Sequence, residues 1–139
     1  MSYRVLIVDD DEKIRELLRR FLEPEGYQIT EVASAEAAMQ YVETAPPSVA
    51  LCDVHMGGAN GLWLADQIRG LCPATAMVLA TGETAVPPAE SLRSGVVAYL
   101  LKPLRRDRVV AAVAAGIRWS QDAISRGAHS QQRRQLLGD

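Results

Sequence analysis

Apolar residues along this chain alternate between two rhythms. Unbroken runs occur at Arg4–Val8 (RVLIV), Val49–Asp53 (VALCD), Ala76–Ala80 (AMVLA) and Val97–Leu101 (VAYLL), each short and bounded by turn-forming or charged residues. Such runs predict strands buried on both faces, the pattern of a parallel sheet. Gln28–Val32 alternates polar with apolar instead and is predicted at the sheet edge. Between the runs the spacing turns helical. The inward positions are Ile14, Leu17, Leu18, Phe21 and Leu22; then Ala35, Ala38, Met39 and Val42; then Leu62, Ala65, Ile68 and Leu71; and last Val109, Val110, Val113 and Ile117.

The boundaries carry their own signals. Asp10 or Asp11 can cap the first helix and Ser34 the second, while Pro24-Glu25-Gly26, Pro46-Pro47 and Cys72-Pro73 stand where helices must stop. Pro87-Pro88 and Gly95 frame a short fourth helix. A fifth starts near Arg105. Strand and helix thus alternate five times with short connections, which predicts an α/β fold: a doubly wound, five-stranded parallel sheet with five helices.

Length and composition narrow this further. At 139 residues the chain suits one domain, predicted over 1–117. Residues 118–139 read as an extension of the fifth helix through Trp119 and Ile124, then a tail or linker from Arg126. They are too few for a separate DNA-binding output domain. A hydrophobic content of 48% and a charged content of 23% are those of a soluble globular protein. The net charge of -2 supplies no reason to expect nucleic acid or an anionic membrane as partner. No run is long enough to span a membrane, and MSYRVLIVDDD lacks the features of a signal peptide, so a cytoplasmic location is expected. Cys52 and Cys72 lack metal-ligand spacing and read as reduced thiols.

Function is suggested by what stands at the carboxyl ends of the strands, which in a parallel sheet share one edge, where ligands bind. These residues are Asp9 and Asp10, Asp53, Thr81 and Lys102. Taken singly, each has an ordinary use as a helix cap, turn former or solvated charge. Together they place three carboxylates, a hydroxyl and an ammonium around one crevice. Two carboxylates about 4 Å apart repel by roughly 4 kcal/mol at an effective dielectric near 20. One lysine does not balance three acids, and an all-oxygen ligand set points to a hard divalent cation such as Mg²⁺. That combination suits phosphoryl chemistry, with a carboxylate as nucleophile. No P-loop occurs, and no GxGxxG follows the first strand.

With these motifs in view (VLIVDDD, LCDVHM with Asn60-Gly61, LATG, and AYLLKP), the chain resembles the receiver domain of two-component response regulators from Tyr3 to about Ile117. The resemblance implies a flavodoxin-like strand order, 2-1-3-4-5, and a set of roles. Asp53 would accept a phosphoryl group from the phosphohistidine of a sensor histidine kinase, a phosphotransfer protein or a small phosphodonor. Asp10 would bind Mg²⁺ directly (Mn²⁺ substituting), Asp9 mainly through water, and the metal would also touch Asp53 and the backbone carbonyl of His55. Lys102 and Thr81 would contact the phosphoryl group, Tyr99 would reorient with Thr81, and the Lys102-Pro103 bond would be cis. His55 and Glu83 would tune dephosphorylation. The chain would be a phospho-acceptor, not a multiple-turnover metabolic enzyme.

The same resemblance implies that the surface of the fourth helix, fifth strand and fifth helix controls a downstream protein or output domain, with a homodimer as a further option. Gly57 departs from the pattern, standing where the family usually has proline, so the loop beside Asp53 is expected to be more flexible. The short segment with Pro87-Pro88 is expected to alter the fourth helix. Two rivals stay open: a receiver-like interaction module that never uses phosphate, and a small phosphatase with an aspartyl nucleophile, for which no cap lobe is visible.

Overall fold

The computed structural model describes residues 2–82 and 95–136, of which 128–136 are given as helical backbone only. Five strands, β1 (Arg4–Val8), β2 (Gln28–Val32), β3 (Val49–Asp53), β4 (Ala76–Thr81) and β5 (Val96–Leu101), form one sheet in the order β2-β1-β3-β4-β5. Every pairing is parallel, with one register irregularity between Met77 and Val78 where β4 meets β5. The helices are α1 (Glu12–Leu22), followed by a single 3-10 turn at Glu23–Glu25, then α2 (Ala35–Thr44), α3 (Gly61–Leu71) and a long C-terminal helix, Arg106–Leu136. The predicted fourth helix falls outside the described residues.

The apolar runs of β1, β3 and β4 are buried on both faces because alternate side chains feed two cores. The equally apolar β5 lies at the sheet edge opposite β2 and, against its pattern, is mostly half-buried, with Leu101 54% exposed. Val5, Ile7, Val49, Leu51, Ala76 and Val78 meet Leu18 and Leu22 of α1 and Val109, Val113 and Ile117 of the C-terminal helix. Leu6, Val8, Ala50, Cys52, Met77 and Leu79 meet Ala35, Ala38 and Val42 of α2 and Leu64, Ala65 and Ile68 of α3. The alternating strand β2 is only half-buried and lies at the edge. Caps sit where side-chain oxygens can reach free amides. Asp11 accepts from the Lys13 amide, Ser34 from Ala37 and Asn60 from Trp63.

Two details differ from the sequence reading. In α3 the inward stripe is Gly61, Leu64, Ala65 and Ile68, whereas Leu62 is half-buried and Leu71 is 51% exposed. The helix begins at Gly61 and rotates so that its glycine, not Leu62, meets the sheet. The C-terminal helix continues to Leu136 and does not stop near Arg126. No proline follows Pro103, and Gln, Arg and Ala supply good helix propensity across that stretch.

Candidate functional site

The parallel register brings the carboxyl ends of β1, β3, β4 and β5 to one edge. Asp9 follows β1 directly and is 2% exposed; Asp53 ends β3 and is 6% exposed. Asp10 is exposed to solvent. Carboxylate oxygens from Asp9, Asp10 and Asp53 all lie within 4.8 Å of one another. Into this group reaches Lys102, immediately after β5, its Nζ 3.1 Å from Asp53 Oδ2 and 3.8 Å from Asp9 Oδ2.

Backbone amides fix the acids further. The His55 N–H donates to Asp53 Oδ1 at 3.2 Å, Asp11 N–H to Asp9 Oδ1 at 2.9 Å, and Gly57 N–H to Asp10 Oδ2 at 3.3 Å. Burial pushes the Asp9 carboxyl above its ordinary value, and the charges of Asp53 and Asp10 push the same way. The Asp11 amide and Lys102 act against them. Both causes follow from holding like charges together in a half-dry crevice.

Thr81 ends β4 at 1% exposure, and its carbonyl accepts from the Lys102 amide at 2.9 Å. Tyr99 is half-buried on β5, in register with Leu79, and packs beside the core that α2 and α3 cover. His55 is exposed next to Asp53. The Lys102–Pro103 peptide is cis. Glu83 lies outside the described residues. The site therefore gathers the carboxylates of Asp9, Asp10 and Asp53 within 4.8 Å of one another, with Lys102 against Asp9 and Asp53 and Thr81 at the adjoining strand end.

Three contributors were not singled out in the sequence. Arg15 of α1 donates to the Asp9 carbonyl at 2.7 Å and pairs with Glu31 at 3.5 Å, while Arg19 holds the same Glu31. Glu36 of α2 accepts from the Ala59 amide at 3.2 Å. Gly61 abuts the backbone of Asp53 and Val54. Arg15 and Glu36 lie off the apolar faces of their helices, and Asn60-Gly61 reads as the close of a glycine-rich loop.

The donor set fits a hard divalent cation. Its three carboxylates offer only oxygen, one ammonium stands against two of them, and Asp10 is exposed to water and incoming phosphoryl oxygens. Such a site can neutralise a phosphoryl group while a buried, lysine-held carboxylate faces it.

Comparison with known proteins points the same way. The alginate biosynthesis transcriptional regulatory protein AlgB of Pseudomonas aeruginosa is 33% identical over 112 residues, covering 80% of this chain and 25% of AlgB. The regulatory protein VanR of Enterococcus faecium is 29% identical over 118 residues, covering 85% of this chain and 51% of VanR. The chain thus spans from a quarter to about half the length of these relatives. A CheY-like response regulator receiver domain protein from Methanospirillum hungatei superposes with a TM-score of 0.81 at 26% identity, over 88% of this chain and 99% of that one. The family model described as response regulator receiver domain matches residues 5–114, nearly all of the sheet and the start of the C-terminal helix, and this chain belongs to that family, the receiver domains of two-component response regulators.

Proposed function

We propose that this receiver domain accepts a phosphoryl group on Asp53 in a Mg²⁺-dependent reaction and uses it to switch its surface. The single observation that carries the reading is the position of Lys102 Nζ, 3.1 Å from Asp53 Oδ2 within a group of three converging carboxylates. Asp9, Asp10, Asp53 and the His55 carbonyl would hold Mg²⁺, with Mn²⁺ able to substitute. When bound, the cation supplies charge neutralisation on the transferring phosphoryl oxygens.

The rest is the work of the chain. A carboxylate oxygen of Asp53 forms the new P–O bond as the P–N bond of a donor phosphohistidine breaks, and the imidazole nitrogen leaves with the electron pair. Lys102 moves its contact from the carboxylate to the phosphoryl oxygens, which carry about -1.5 to -2 charge. The Thr81 hydroxyl donates to the same group, and Tyr99 follows into the vacated space. These contacts shift the population between two states of the domain by their differential strength. His55 and Glu83 set how readily water reaches the acyl phosphate.

The donor on this reading is a sensor histidine kinase or phosphotransfer protein in the cytoplasm, and the receiver of the signal is a downstream protein, an output domain or a second copy. Among the described residues no helix is long and apolar enough to cross a membrane. The domain acts as a signalling module, not a metabolic enzyme. Incubation with acetyl phosphate and Mg²⁺ should add one phosphoryl group to the intact mass, lost in Asp53→Asn and on chelation of the metal. Absence of uptake, with beryllofluoride also failing to perturb the spectrum, would instead favour an interaction module that works without phosphate.

A further inference from the structure

The loop joining β3 to α3 runs beside Asp53 and contains two adjacent glycines, Gly57 and Gly58, the second at φ +88°. Glycines carry the largest backbone entropy, so an untethered loop of this composition would sample many conformations. Its base is closed by the Gly61 amide donating to the Val54 carbonyl at 3.1 Å. Its tip is held twice, each time by a carboxylate from a different element. Gly57 N–H donates to Asp10 Oδ2 at 3.3 Å, and Ala59 N–H donates to Glu36 Oε1 at 3.2 Å. Gly58 lies against the same glutamate, since a Cβ there would meet Glu36 Oε1 at 3.5 Å.

The two anchors differ in what else they do. Asp10 belongs to the converging carboxylate group, whereas Glu36, in the first turn of α2, stands outside it. Proline at position 57 would stiffen the loop by fixing its backbone and would remove the amide that Asp10 accepts from. This chain has glycine there, and its loop is restrained from outside.

We propose that Glu36 is a positioning residue: by holding the Ala59 amide it keeps the 57–59 loop closed over the Asp53 side of the site, whatever engages Asp10. The loop restrains the segment that carries His55, whose amide holds Asp53 Oδ1. Loosening it opens a path for water to a phosphoryl group on Asp53, and this last clause rests on the function proposed above.

The test uses amide hydrogen exchange by NMR on the full chain, metal-free and with Mg²⁺, in Glu36→Ala, Glu36→Gln and the double variant Glu36→Ala/Gly57→Pro. In Glu36→Ala the Ala59 amide should exchange about fivefold faster, the factor that corresponds to one hydrogen bond of about 1 kcal/mol. Glu36→Gln keeps an acceptor oxygen and should stay close to wild type, which separates the tether from the glutamate's charge at the helix start. After loading with acetyl phosphate, Glu36→Ala should lose its phosphoryl group faster, Glu36→Gln should not, and Gly57→Pro should restore the slower rate. Unchanged Ala59 exchange in Glu36→Ala overturns the tether. Faster exchange with unchanged phosphoryl loss overturns its link to Asp53. If wild type takes up no phosphate at all, the reading of Asp53 fails, and the exchange arm still decides the tether.

Discussion

Gly61 and the Asp53 carbonyl are in direct apposition: a Cβ on Gly61 would stand 2.6 Å from Asp53 O and 3.1 Å from Asp53 C. The first turn of α3 is pressed against the backbone that presents the carboxylate, an approach open only to glycine. Gly61→Ala must part α3 from β3 and should cost about 1–3 kcal/mol. Gly57, whose Cβ direction meets nothing within 4 Å, is the control. Gly57→Ala should fall within about 0.5 kcal/mol of wild type. Urea midpoints of the two variants decide the matter, and equal midpoints would refute the close approach.

Asp9 makes stability depend on pH with a definite sign. Its carboxyl is raised in the folded protein, chiefly by burial, so the folded state holds that proton more tightly than the unfolded state does. The stabilisation from the protonated form is complete below the unfolded value of 3.8 and is lost as pH rises through the raised folded value. In metal-free buffer at neutral pH, Asp9→Asn should therefore be more stable than wild type. The gap should narrow as pH falls through that window, and thermal melts at several pH values will show it. A gap independent of pH would place the cause elsewhere than in the charge.

Lys102 is the one cation within ion-pairing distance of Asp9 and Asp53 among the described residues. Lys102→Met removes it and leaves the buried acids to repel one another. Metal-free stability should drop by about 1.5–3 kcal/mol, the range for a hydrogen bond to a charged group. Adding Mg²⁺ should raise the melting temperature of the variant more than that of wild type. Equal increments would show that the cation does not share the lysine's place in the charge balance.

Where the C-terminal helix crosses the sheet, Gly116 sits against Val49. A Cβ at Gly116 would lie 2.8 Å from Val49 Cγ2 and 3.4 Å from Ala76 Cβ. Gly116→Ala should destabilise by about 1–3 kcal/mol through overpacking. Val49→Ala in the same chain should recover part of that loss, although alone it removes buried methyl groups. A double-mutant cycle on denaturation midpoints measures the coupling, and simple additivity would contradict it.

How far the site could be read along the chain depends on the kind of interaction. Asp9, Asp10, Asp53, Thr81 and Lys102 were visible because strand ends in a parallel sheet share an edge, so alternation of elements alone collects them. Arg15 and Glu36 were not. Each acts on a backbone group of another element, the Asp9 carbonyl and the Ala59 amide, and backbone partners leave no mark in residue identity. Leu71 shows the same limit in the core: its spacing suited an inward face, but the rotation of α3 around Gly61 leaves it 51% exposed.

By itself the sequence determined the local matters: element type from hydrophobic period, helix starts at the Asp10–Asp11 pair and at Ser34, and the edge position of β2 from its alternation. Those follow from interactions within a few residues. Only the tertiary structure decided which oxygen faces Lys102, which carboxylate is buried and which is wet, and how closely α3 approaches Asp53. Such quantities depend on the packing of elements distant in sequence, where a rotation of one helix or a shift of about 1 Å changes a contact and its energy.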